Sequence, residues 1–114
     1  VENQIEVVET AYEFLLAYAA QGREDDAHGP GQKPRGVLED LDRALGAILE
    51  LLDDEPFSGV VAEDIAKTRK ALSLVLATPR ISSELVDNLN ASMHLRAVLT
   101  DLFLISEAAR IRSG

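Results

Sequence analysis

Residues 37–52 read VLEDLDRALGAILELL, and the placing of the apolar residues in this stretch decides the fold class. Leu38, Leu41, Leu45, Ile48 and Leu52 recur by alternating steps of three and four. Residues at those spacings share one face of an α-helix, so the stretch predicts an amphipathic helix with a narrow apolar stripe. A stripe of about two heptads is too short for a coiled coil and reads as one wall of an intramolecular bundle.

The segments on either side carry the same period. From Glu2 to Gln21, Ile5, Val8, Tyr12, Leu15 and Ala19 fall on one face, widened by Val7, Phe14 and Leu16. Gly22 is the expected stop, because glycine accepts the left-handed conformation that ends many helices. The helix of the seam runs from Val37 to Asp53, where Asp53, Asp54, Glu55 and Pro56 oppose continuation. On its wet side Glu39 and Arg43 are spaced for an ion pair.

A third helix is predicted from Gly59 to Ala77, with Ser58 as N-cap and Val61, Ile65, Leu72, Val75 and Leu76 turned inward. Thr78-Pro79 closes it. Ser82 reads as the next cap, and Ile81 and Val86 sit at the spacing of a hydrophobic staple. One continuous helix is expected from there to Arg110. Asp87-Asn88-Leu89-Asn90 is the place where it could be interrupted, with Asn90 as a second cap.

Between the first two helices, residues 22–36 hold Gly22, Gly29, Pro30, Gly31, Pro34 and Gly36 among charged residues, with no apolar period. This reads as a flexible surface loop, long enough that its flanking helices need not be antiparallel neighbours. The expected fold is therefore all-α: a single domain over residues 1–114, built as a four-helix bundle with a long Gly/Pro-rich loop between helices 1 and 2 and a long C-terminal helix.

Composition narrows the function. Of 114 residues, 46% are apolar and 27% charged, which is ordinary for a soluble globular chain. A formal charge of −9 repels nucleic-acid phosphates and anionic membranes, so neither is an expected partner. No cysteine is present, which excludes thiolate chemistry and Cys-ligated metals and suits a reducing cytoplasm. There is no basic-then-apolar leader and no run long enough to span a bilayer. The chain begins at Val1 rather than Met, as expected if N-terminal residues precede it or were removed.

Few residues suggest chemistry. Glu6, Glu9 and Glu13 share a helix face, but a carboxylate-bridged metal bundle also needs Glu-x-x-His motifs, and neither His28 nor His94 has a Glu three residues before it. The stripe reads as a solvated acidic face, and His28 as a loop histidine near Asp25 and Asp26. No Gly-rich phosphate loop, G-x-S-x-G or H-E-x-x-H is present, so neither an enzyme nor a cofactor is expected.

On a continuous last helix, Asp87, Asn90, His94 and Asp101 would line one polar sector. The string Met93-His94-Leu95-Arg96-Ala97 resembles the histidine box of histidine-phosphotransfer and kinase dimerisation helices. The resemblance implies phosphoryl acceptance at His94. The basic residue is placed differently here, and the familiar following proline or asparagine is missing.

Leu102-Phe103-Leu104-Ile105 is apolar all round its helix, and Leu95 adds to the excess. Such an excess calls for a second covering surface, so Leu95, Leu102, Phe103, Leu104 and Ile105 are the candidate partner-binding residues. The leading expectation is a small acidic, non-enzymatic regulatory or accessory protein acting through protein–protein contact, as a homodimer or with another protein. Histidine phosphotransfer through His94 is one alternative. A small-molecule or lipid-binding bundle, with a cavity near Tyr12 or Tyr18, is the other.

Overall fold

A computed structural model describes residues 2–26, 33–92 and 94–113, and 82% of these are helical with no strand among them. Five helices follow in order: α1 (Glu2–Ala19), α2 (Pro34–Leu51), α3 (Pro56–Leu76), α4 (Ser83–Ala91) and α5 (His94–Ser113). His28, Met93 and the centre of the Gly/Pro-rich segment lie outside the described residues.

The seam residues Leu38, Leu41, Leu45 and Ile48 are all buried in the core, and Leu52 packs against it. Their neighbours come from Ile5, Val8, Ala11, Leu15 and Tyr18 of α1, and from Val61, Ile65, Leu72 and Val75 of α3. α1 and α2 pack along their lengths in opposite directions, so Asp40 lies near Thr10 and Ala47 near Asn3. They are antiparallel neighbours in spite of the long connection. The face of α1 is narrower than its composition suggests: Tyr18 is fully buried, while Val7 and Leu16 are exposed.

The boundaries depart from the sequence reading in instructive ways. α2 starts at Pro34, three residues early, because proline at the first helical position has no N–H to leave unpaired and a φ already suited to the helix. α3 starts at Pro56 for the same reason, with Glu55 as its cap. Ser58 therefore sits inside the first turn, where its hydroxyl donates to Asp53 at 2.8 Å. Arg43 pairs with Asp40, one turn back, instead of Glu39. Ser82 does cap α4, accepting from the Leu85 amide at 3.0 Å, and Ile81 and Val86 are both buried.

Gly22 adopts φ +67° at the end of α1. A side chain there meets the strain of left-handed backbone, and Gly22→Ala is expected to cost about 1–2 kcal/mol of stability in chemical denaturation.

The expected continuous last helix is two helices. The helix ends at Ala91, immediately after Asn90. Asn88, Asn90 and Ser92 are weak helix formers whose side chains compete for backbone groups. Ser92 Oγ donates to the Leu89 carbonyl at 2.6 Å, and Asn90 is drawn across to the Leu15 carbonyl at 3.3 Å. α4 packs chiefly on α1 and α5 chiefly on α3. The break resets the helical phase, so that Leu95, Val98, Leu99 and Leu102 form the inward stripe of α5.

Candidate functional site

The two ends of the molecule, which measures 47 × 24 × 20 Å, are built differently. One end is closed by polar contacts. Tyr18 donates its hydroxyl to the Ile81 carbonyl at 2.6 Å, and Ser83 Oγ donates to the Tyr18 carbonyl at 2.6 Å. The same Ser83 oxygen accepts from the Arg23 amide at 2.8 Å. Asp26 accepts from the Ile81 amide and from Arg35, whose guanidinium also donates to the carbonyls of Leu76 and Thr78.

Burial alone would raise the Asp26 carboxyl. The donated backbone amides and Arg35 outweigh that and hold it below the usual carboxylate range. Burial also pushes the Tyr18 hydroxyl up, against the opposing charge of Arg23. These contacts tie the ends of α1 and α3 to the starts of α2 and α4. Tyr18 is thereby committed to structure, and neither tyrosine lines the main cavity.

The other end is open and apolar. α2 and α5 face each other there across a groove of about 630 Å³, whose walls include Ile48, Leu51 and Leu52 on one side and Leu102, Ile105 and Ala109 on the other. Asp53 and Arg110 stand at its edge. The Ser58 hydroxyl and the Glu55 amide, both donating to Asp53, keep that carboxyl below its ordinary range. A smaller hollow of about 290 Å³ lies on the α3 side of α5, where Phe57 approaches Leu104, Ile105 and Ala108.

The far half of α5 is also where large apolar side chains reach solvent: Phe103 at 46%, Leu104 at 56% and Ile111 at 67% exposure. Leu104, Ala108 and Ile111 fall at steps of four and three along one face. Of the five residues expected to meet a partner, Leu95 and Leu102 are buried by their own chain and Ile105 is half-buried. That is a correction with a simple cause: the break before α5 turns Leu95 and Leu102 inward. Phe103 and Leu104 remain outside.

The expected polar sector is not assembled. Asp87 and Asn90 belong to α4 and His94 and Asp101 to α5, so the four do not share a helix. Asp87 is exposed, Asn90 is spent on Leu15, and His94 is half-buried in the first turn of α5. Glu6, Glu9 and Glu13 are exposed. Among the described residues no three His, Asp or Glu side chains come together as a metal ligand set.

Asp101 instead faces Asp64 of α3, a residue the sequence gives no reason to single out. Burial first, and the Asp64 carboxyl second, push the Asp101 carboxyl up to about 7. Asp64 could be found only from the register of α3 against α5. No described helix is long and apolar enough to cross a membrane. Comparisons with protein-family models, with curated proteins and with solved structures found no match for this chain.

Proposed function

We propose that the chain is a non-enzymatic interaction protein that self-associates through the far half of α5. The observation that carries this reading is the exposed Phe103–Ile111 face on a helix whose opposite side already completes the core. The cysteine-free composition suits action in the cytoplasm.

A second copy is the partner because the face matches itself. Two α5 helices crossing antiparallel near Ala108 set Leu104 of one against Ile111 of the other, with the small alanine at the crossing. A two-fold contact of this isologous kind needs one patch only. Charge permits it locally. The whole chain carries −9, but residues 103–113 hold Glu107 against Arg110 and Arg112, a formal +1. Across the stretch that would meet its copy the net charge is small, so like-charge repulsion there is weak.

Sedimentation at micromolar concentration tests the reading. The expected result is a concentration-dependent dimer that Leu104→Glu converts to a folded monomer. A wild-type chain that stays monomeric, or a Leu104→Glu variant that still dimerises, would refute it.

The groove between α2 and α5 supports a second reading, a small apolar ligand held beside Arg110. Its volume falls in the range of about 300–1,000 Å³ common to ligand sites. Native mass spectrometry separates the two, since a bound small molecule adds its own mass to the monomer.

A further inference from the structure

Asp64 and Asp101 face each other across the α3–α5 interface, in the same register that sets Phe57 of α3 beside Leu104, Ile105 and Ala108 of α5. When both are ionised they repel, and neither can donate to the other. A single shared proton turns that repulsion into a hydrogen bond. We propose that this pair is a proton-operated clasp between α3 and α5, closed while one proton is shared and loosened when both carboxyls ionise.

The geometry gives the pair no other relief. From α3, Asp64 is the group that faces Asp101; Glu63 and Lys67 are exposed, and Arg69 is held by Asp42 at 2.8 Å. From α1, Glu6, Glu9 and Glu13 are exposed, as is Asp87 from α4. On α5 itself Arg96 is exposed and Arg110 pairs with Glu107. Asp101 Oδ2 is buried and receives no hydrogen bond. An ionised carboxylate with a buried, unserved oxygen and no neighbouring cation is costly, and a proton removes that cost.

The clasp sits where it can act on α5. That helix packs chiefly on α3 and makes little contact with α1 or α4. Leu104 lies one turn beyond Asp101, and Val60 one turn before Asp64; both are exposed. Ionising the pair therefore weakens the hold of α3 on the part of α5 that carries the open apolar face. The clasp does not depend on what covers that face.

The direction of the pH effect follows from proton counting. The folded chain keeps the Asp101 proton up to about pH 7, whereas the ordinary value is 3.8. Between those values the folded state binds a proton that the unfolded state has lost. Stability therefore falls as pH rises through this window and levels off above it. One proton changes the folding equilibrium constant by up to tenfold per pH unit.

Urea unfolding of the whole chain between pH 5 and pH 8, at two protein concentrations tenfold apart, is the test. The expected result is a wild-type stability that declines toward pH 7 at both concentrations. Asp101→Asn, which keeps the shape and donates to Asp64 without titrating, should remove that decline and be the more stable protein at pH 8. Asp64→Asn should do the same if the pair acts as a unit, and serves if the first variant fails to fold. A wild-type stability that is flat over this range, or variants that keep the wild-type slope, would overturn the clasp.

Discussion

Leu45→Ala is expected to lower the unfolding free energy by about 2–5 kcal/mol. Leu45 is fully buried at the middle of the seam, with core residues of α1 and α3 packed into the same cluster. Truncation removes three carbons from water-free surroundings and leaves a void that helices packed on both sides cannot readily close. A domain of this size has about 5–15 kcal/mol of stability in total, so the change is a large share of it. The companion substitution Leu51→Ala is on the same helix, but Leu51 is 54% exposed, and its cost should stay within about 0.5 kcal/mol. Chemical denaturation of the two variants side by side checks both values. Equal effects would mean that α2 does not present the seam inward.

Ser83→Ala is the second large effect, although it removes one oxygen atom. Ser83 is buried, and its hydroxyl both donates to the Tyr18 carbonyl and accepts from the Arg23 amide. Alanine leaves the Arg23 amide without this acceptor, while the Tyr18 carbonyl keeps the Gln21 amide as a donor at 3.1 Å. One orphaned donor and one lost hydrogen bond together give an expected loss of about 1–3 kcal/mol. Ser82→Ala, one residue earlier, removes a helix cap and should cost about 1 kcal/mol. The order of the two losses, read by thermal or urea unfolding, is the check. A Ser83 variant no worse than the Ser82 variant would show that the contacts between α1 and α4 are not what closes that end.

Much of this was legible in the residues alone, and the exceptions share a cause. Leu38, Leu41, Leu45 and Ile48 are buried as their spacing predicts, because helical period is a local property. Gly22 and Ser82 end and begin helices for equally local reasons. The break at Ser92 is different. Its sequence signal, Asn88 and Asn90, lies just before it but does not decide it, because Asn90 is drawn to the carbonyl of Leu15, 75 positions away in the chain. Once that break is in place, Leu95 and Leu102 turn inward and the expected sector of Asp87, Asn90, His94 and Asp101 dissolves.

The candidate site divides in the same way. Phe103 and Leu104 were visible as apolar residues in excess of what one helix face needs. The pairing of Asp101 with Asp64 was not, since neither residue has an unusual neighbourhood in sequence and only the register of α3 on α5 joins them. The latch of Tyr18, Arg23, Asp26, Arg35 and Ser83 was equally hidden. It is assembled from three stretches of sequence, 18–26, 35 and 76–83, and its residues are of types that occur commonly on any surface.

The absence of cysteine gives the most direct test of the α5 contact. In Ala108→Cys the new thiols of two copies would meet at the helix crossing, within the Cα separation of about 4.4–6.8 Å that a disulfide requires. Leu74→Cys places a thiol on α3 at a more exposed position outside the far half of α5. Under mild oxidation at micromolar concentration, the Ala108→Cys chain should become a covalent dimer quickly and nearly completely, while Leu74→Cys stays largely monomeric. Cross-linking that is equal at the two positions, or faster at Leu74→Cys, would contradict self-association through α5.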